Sequence, residues 1–203
     1  MFFPSVGASL SSKRYSRAGV APHPVAVCVA AAAGALTISA IVNRLIAKRA
    51  ERNNPPRGKF VEVNGVRLHY IERGDGEPLV LLHGNGSMIQ DFVSSGLLEK
   101  AAHKYRVIVF DRPGFGFSDR PRLTIWTPEA QAELIHKALR QIGISHAVVL
   151  GHSWGASVAI ALALRDPALV SRLVLASGYY YPTVRGDVLF SWQAIPVIGD
   201  ILS

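Results

Sequence analysis

Residues 147–165, AVVLGHSWGASVAIALALR, decide the fold of this 203-residue chain. The first four residues form an apolar run that predicts a buried strand, and the alanine- and leucine-rich second half predicts a helix. Between them, Ser153 stands two residues from a glycine on either side. A strand-to-helix turn tight enough to expose a serine hydroxyl forces strained backbone angles and close backbone approach, which explains Gly151 and Gly155. The stretch therefore predicts a nucleophile elbow, with Ser153 at the amino terminus of a helix.

The chain around this elbow alternates between strand and helix patterns. Two alternating runs at 60–63 and 66–71 flank Asn64-Gly65, the strongest short signal for a hairpin. The elements beyond it are, in chain order, a buried strand at 79–82, a helical stretch at 87–104 broken by Gly96, a buried strand at 107–110, a helix from Thr127 to Gly143, the elbow strand and helix, and a further buried strand at 173–176. This order predicts an α/β fold, a mostly parallel sheet with helices on both faces, opened by an antiparallel hairpin.

The loop after the first buried strand reads HGNG at 83–86. A glycine-bearing loop at the carboxyl end of a strand lets a backbone N–H point into the crevice where α/β proteins bind ligands. A nucleophile-elbow enzyme needs an oxyanion donor at this point, and the N–H of Asn85, between Gly84 and Gly86, is the candidate. A plain βα turn is the alternative interpretation. We interpret His83 as a residue that fixes the loop by hydrogen bonding rather than as a base.

The net charge of +8 is confined to the amino-terminal part of the chain. Residues 1–59 carry nine Lys or Arg and one acid, so residues 60–203 hold 13 basic and 13 acidic residues and are neutral overall. A basic globular domain for phosphate backbones is therefore disfavoured, and we expect no nucleic-acid partner. No metal-ligand spacing and no phosphate loop occur, so we predict no cofactor.

The amino-terminal part contains 18 uncharged residues, VAVCVAAAAGALTISAIV, at 25–42. This length just reaches across a bilayer core as a helix, and we predict a single-pass membrane anchor at 25–47. A cleaved signal peptide, a mitochondrial transit peptide and an internal core helix are the alternatives. The predicted organisation is a basic, serine-containing tail at 1–24, a transmembrane or signal-anchor helix at 25–47, a linker at 48–58 and a catalytic-type domain at 59–203.

Four of these features together resemble the α/β-hydrolase fold family over residues 59 to about 180: the hairpin, HGNG at 83–86, DRPGFGFS at 111–118 and GHSWG at 151–155. The resemblance implies Ser153 as nucleophile and an oxyanion hole formed by the backbone N–H groups of Asn85 and Trp154. Tryptophan after the nucleophile is similar to epoxide hydrolases and some proline aminopeptidases, but epoxide hydrolases and haloalkane dehalogenases attack with aspartate. A serine at this position favours acyl transfer on a small ester- or amide-type substrate.

The family places its catalytic residues in the order Ser, acid, His. All the histidines of this chain precede Ser153; they are His23, His69, His83, His103, His136, His146 and His152. His152 is adjacent to the serine and points away from it in an elbow, so we interpret it as a packing or hydrogen-bonding residue. Asp187 and Asp200 follow in a stretch that resembles the beginning of a lid.

We therefore expect an incomplete hydrolase domain that stops at the start of the lid, with its acid and base beyond Ser203 and little turnover of its own. The alternative is a non-catalytic binding protein that keeps the α/β-hydrolase-like fold, or an inactive fragment.

Overall fold

The computed structural model describes residues 24–121, 123–178 and 180. Helix α1 (Pro24–Asn53) comes first. The other elements, in chain order, are β1 (Lys59–Val63), β2 (Val66–Arg73), β3 (Glu77–Leu82), α2 (Ile89–Ser94), α3 (Leu97–Ala102), β4 (Tyr105–Phe110), α4 (Pro128–Gln141), β5 (Ala147–His152), α5 (Trp154–Arg165) and β6 (Val170–Ala176). Nearly all of the predicted tail at 1–24, and the expected start of a lid at 181–203 with Asp187 and Asp200, lie outside the described residues.

The six strands form one sheet in the order β1-β2-β4-β3-β5-β6. Strands β4, β3, β5 and β6 are parallel, whereas β1 and β2 form an antiparallel hairpin that joins the sheet through an antiparallel β2–β4 pair. The hairpin turn places both Asn64 (φ 54°) and Gly65 (φ 76°) in the left-handed region, as a two-residue hairpin requires. The predicted mostly parallel sheet opened by a hairpin is confirmed.

The sheet carries helices on both faces because successive side chains of a strand point to opposite sides. In β3, Val80 and Leu82 belong to the apolar cluster under α4 and α5. Leu79 and Leu81 belong to the cluster that α2 and α3 cover. All four are buried, so the continuous apolar run at 79–82 is explained by a central strand with two covered faces.

Helix α4 begins where its sequence predicts. The Thr127 hydroxyl accepts a hydrogen bond from the Ala130 N–H (3.2 Å), and Pro128 occupies the first turn. Gly143 follows the helix with φ 81°. In a parallel sheet a helix starts near the carboxyl ends of the strands, so the first turn of α4 lies at the sheet edge where Ser153 also lies.

Helix α1 is longer than the predicted anchor. It continues through residue 53 into the predicted linker at 48–58, because residues 48–52, KRAER, are good helix formers. Pro55-Pro56 then prevents its continuation. Residues Pro24–Ala50 are long and apolar enough to cross a membrane, and this part of the helix is not buried against the rest of the described chain.

Strand β6 differs from the prediction of a buried strand at 173–176. Its apolar residues are substantially exposed, with Leu173 at 38%, Val174 at 45% and Leu175 at 38%. Within the described part of the chain β6 pairs only with β5, so it forms an edge of the sheet. An apolar strand sequence predicts burial on both faces, but no described element packs over β6 closely enough to bury these side chains.

Candidate active site

Ser153 lies in the turn between β5 and α5 with φ 53° and ψ −119°. This conformation is strained for a residue with a side chain, and surrounding structure must hold it. The Ser153 N–H donates to the Ala176 carbonyl oxygen of β6 (2.9 Å), and the Ser153 carbonyl accepts from the Ala156 N–H of α5 (3.0 Å). The residue is therefore fixed from both sides, by the neighbouring strand and by the helix that it precedes.

The two glycines of the elbow permit close backbone contacts. A Cβ at Gly151 would lie 2.5 Å from the Ala156 Cα, and a Cβ at Gly155 would lie 2.6 Å from the His83 carbonyl oxygen. Both neighbours are backbone atoms, which cannot move aside as a flexible side chain can. The spacing of glycines around Ser153 is thus required by the packing of the elbow against itself and against the end of β3.

The HGNG loop lies directly against the serine. A Cβ at Gly84 would lie 3.0 Å from the Ser153 Cβ and 3.4 Å from its Oγ, so a side chain here would press against the serine. The next residue is Asn85, whose N–H is the predicted oxyanion donor. The Trp154 N–H begins α5 and precedes the first intrahelical hydrogen bond, so it has no acceptor within the helix. The two predicted donors thus lie on the two segments that meet at Ser153.

His83 is fully buried and both of its ring nitrogens are engaged by the backbone. Its Nε2 accepts from the Arg112 N–H (2.9 Å), so the proton is on Nδ1, which donates to the Gly84 carbonyl oxygen (2.8 Å). Burial, with a smaller contribution from the nearby Arg112 charge, lowers the pKa of His83 to about 4. A neutral ring with both nitrogens occupied holds the loop and does not take a proton from Ser153.

Arg112 is a functional candidate that sequence reasoning missed. Its guanidinium is fully buried and donates to the Gln131 Oε1 (2.9 Å), the Gly84 carbonyl (2.8 Å) and the Asn85 Oδ1 (2.9 Å). It also lies over the Phe115 ring, 4.6 Å from the centroid. Burial lowers the pKa of Arg112 to about 10, and no carboxylate among the described residues forms an ion pair with it.

Two features of the sequence indicate a functional role for Arg112. Arg112 follows directly on the end of a buried strand, where α/β proteins place ligand-binding groups. Gln131 is 3% exposed and stands on the apolar face of α4 together with Leu134, Ile135 and Ala138. A polar residue at a core position needs a buried partner, and that requirement points to an interior polar group such as Arg112.

Asp111 and Asp119 are not a catalytic acid pair. The Asp111 carboxylate accepts from the N–H groups of Ile89 (3.0 Å) and Phe117 (3.1 Å) and from the His69 Nδ1–H (2.7 Å). Asp119 accepts from the Arg67 N–H (3.0 Å). Both carboxylates therefore act as hydrogen-bond acceptors that fix the loops around them.

None of the six histidines in the described ranges hydrogen-bonds the Ser153 hydroxyl. His69 is buried against Asp111, and His136 pairs with Asp166 (2.9 Å). His152 is exposed, and it has no hydrogen bond to Ser153. The described part of the chain therefore brings together a candidate nucleophile and candidate oxyanion donors, and no histidine among the described residues is placed to accept the Ser153 proton.

Comparison with known proteins gives a consistent result. The family model described as alpha/beta hydrolase fold matches residues 77–194, more than half of the chain. The 2-hydroxymuconate semialdehyde hydrolase of Pseudomonas sp. (strain CF600) is 32% identical over 140 residues, covering 68% of this chain and 50% of the relative. The chain spans about half the length of the curated relatives it matches.

Solved structures similar to this chain include two hydrolases. A mutant meta-cleavage product hydrolase superposes with a TM-score of 0.61 at 31% identity, covering 72% of this chain and 55% of that one. A membrane phospholipase A, described as a bacterial virulence factor, gives a TM-score of 0.60 at 26% identity, covering 79% of this chain and 52% of that one. Residues 59–203 number 145 of 203, about 71%, so the second match includes residues before 59.

Proposed function

The chain belongs to the α/β-hydrolase fold family, and from that premise we propose that it is the part of a serine hydrolase that carries the nucleophile and the oxyanion hole. The observation that carries the proposal is the strained Ser153, held at φ 53° with Gly84 packed against its side chain. Strain of this kind persists where the surrounding structure enforces it, and it concentrates at functional sites.

In the proposed reaction the Ser153 Oγ attacks a substrate carbonyl carbon while a general base takes the hydroxyl proton. The carbonyl oxygen becomes an oxyanion, which the N–H groups of Asn85 and Trp154 receive. Collapse of this intermediate expels the protonated leaving group and leaves an acyl group on Ser153, which water then removes. Each oxyanion donor in such a site contributes roughly 100- to 1,000-fold in kcat.

The proposed substrate is a small molecule with an ester- or amide-type carbonyl. The serine at position 153 supports acyl transfer, since attack by a carboxylate, as in epoxide hydrolases and haloalkane dehalogenases, needs an acid at this position. The matched relatives include a 2-hydroxymuconate semialdehyde hydrolase and a phospholipase A. Both names indicate hydrolysis of an organic molecule without choosing one substrate for this chain.

Covalent labelling tests the proposal. The full-length protein is expected to react with a fluorophosphonate probe at Ser153, and Ser153→Ala is expected to abolish the labelling. Ser157→Ala, on the following helix α5, is the matched control and should label like the parent protein. A folded full-length protein that does not label, or that labels equally after Ser153→Ala, would refute the assignment.

We also propose that α1 anchors the protein in a membrane. Its apolar stretch Pro24–Ala50 supports this, as does the match of residues before 59 to a membrane phospholipase A. The full-length protein is expected to stay with the membrane fraction after alkaline carbonate extraction, and deletion of residues 1–58 is expected to release it. Residues 33–35, Ala-Gly-Ala, are small enough for a signal-peptidase site. Recovery of a chain that begins after position 35 would instead support a cleaved signal peptide.

A further inference from the structure

The Gly84 carbonyl oxygen accepts two hydrogen bonds at the centre of the site. One comes from the His83 Nδ1–H (2.8 Å) and the other from the Arg112 guanidinium (2.8 Å). Both donors are fully buried, so neither exchanges this acceptor for water. The carbonyl is consequently held at a fixed position in the protein interior.

This carbonyl belongs to the same peptide group as the proposed oxyanion donor. The peptide bond between Gly84 and Asn85 joins the Gly84 C=O to the Asn85 N–H, and the described chain contains no cis peptide bond. In a planar trans peptide the C=O and N–H point in opposite directions. Fixing the Gly84 oxygen therefore fixes the direction in which the Asn85 N–H points, on a loop whose backbone contacts Ser153.

Arg112 is itself held in place by helix α4. The same nitrogen that binds the Gly84 oxygen also donates to the Asn85 side chain (2.9 Å), while the other terminal nitrogen is anchored to Gln131 on α4 (2.9 Å). The Arg112 Nε is buried without a hydrogen-bond partner among the described residues. Burying a cation without a carboxylate partner costs free energy of folding. A role in the site therefore explains the buried Arg112 better than a contribution to stability does.

We propose that Arg112 is a positioning residue for the oxyanion hole, which orients the Asn85 N–H through the Gly84 carbonyl. Its positive charge also polarises this peptide group, because a hydrogen bond to a carbonyl oxygen strengthens the N–H of the same amide as a donor. The inference rests on the proposed function of Ser153 and adds to it the group that aims one of the two oxyanion donors.

Phosphonylation kinetics of the full-length protein test the inference, because the fluorophosphonate oxygen occupies the oxyanion position. Arg112→Met is expected to lower the maximal labelling rate about 10- to 100-fold, comparable to the loss of one oxyanion donor, with little change in the probe concentration for half-maximal rate. Arg112→Lys should recover part of the rate. Arg106→Met is the matched control, since Arg106 is a half-buried arginine at the opposite end of β4, paired with Glu72.

Chemical rescue separates positioning from a general structural role. Millimolar guanidinium ion is expected to restore labelling of Arg112→Ala several-fold and to leave Arg106→Met unchanged. Equal losses in Arg112→Met and Arg106→Met, or a failure of guanidinium to rescue, would overturn the inference.

The inference and the proposed function fail in different ways. If the parent protein does not label at Ser153, the proposed function fails, and the orientation of the Gly84–Asn85 peptide decides the inference. A crystal structure of Arg112→Met with that peptide rotated supports the positioning role, and an unchanged peptide contradicts it.

Discussion

The buried imidazole of His83 makes the stability of the protein depend on pH between about 6.5 and 4. In the folded state burial lowers its pKa to about 4, whereas in the unfolded chain the ordinary value of 6.5 applies. Within this interval the unfolded state binds one more proton than the folded state, so the free energy of unfolding rises with pH. The contribution is complete above pH 6.5 and is lost as the pH falls toward 4.

The size of this effect follows from the pKa difference. A difference of about 2.5 pH units at 1.36 kcal/mol per unit corresponds to about 3 kcal/mol in total. At about pH 5, before most carboxylates titrate, about 2 kcal/mol of it is lost relative to pH 7. A loss of this size is a substantial part of the free energy that keeps a single domain folded.

Urea unfolding of the full-length protein in detergent, at about pH 7 and about pH 5, measures the effect. His83→Asn and His83→Gln remove the titration; the first keeps a donor toward the Gly84 carbonyl and the second keeps an acceptor toward the Arg112 N–H. The parent protein is expected to lose about 2 kcal/mol more than either variant on acidification. Parallel pH dependence in all three proteins would refute the reasoning, because His83 would then bind its proton equally in both states.

Three further predictions concern glycine packing, backbone strain at Ser153 and the cap of helix α4. Gly155→Ala is expected to destabilise the fold by about 1 to 3 kcal/mol, because its Cβ would overlap the carbonyl oxygens of β3 and the HGNG loop. A Cβ at Gly34 would meet no atom within 4 Å, so Gly34→Ala should not destabilise the fold, and thermal unfolding checks both variants. Ser153→Gly is expected to abolish fluorophosphonate labelling yet stabilise the protein by about 1 kcal/mol, because glycine adopts φ 53° without strain; an unchanged unfolding midpoint would contradict this. Thr127→Ala should cost about 1 kcal/mol through loss of the α4 cap, while Thr127→Ser should keep most of it; equal midpoints would show that the cap contributes nothing.

Local features of the fold were predictable because the residues that determine them are neighbours in sequence. Asn64-Gly65 requires only its own backbone angles to form the hairpin turn, and Thr127-Pro128 caps α4 with contacts three residues away. The alternation of strands and helices likewise predicts the parallel sheet. The strand order is set by contacts between residues far apart in sequence, and it became visible only in the structure.

The site divides in the same way. The proximity of Ser153 to the HGNG loop follows from the family's motifs. The Arg112 hydrogen bonds were not predictable in this way, because they reach loop residues 27 and 28 positions away in the sequence and Gln131, 19 positions away. The exposure of β6 was also not predictable from the strand alone, because burial depends on which distant elements pack against a strand, and its own residues do not identify them.

The segment between α1 and β1 is short. The Asn54 N–H (2.9 Å) and its side-chain amide (3.0 Å) donate to the Ala50 carbonyl oxygen of α1. The Arg57 carbonyl accepts from the His69 ring (3.2 Å), and Gly58 packs against the backbone of β2, so of residues 54–58 only 55 and 56 lack such a contact. At about 3.5 Å per residue, these two stiff prolines reach roughly 7 Å. With α1 embedded in a bilayer, so short a linker would keep the domain at the lipid surface. For a substrate that partitions into the bilayer, encounters with the domain would then depend on the mole fraction of that substrate in the bilayer rather than on its concentration in the surrounding water.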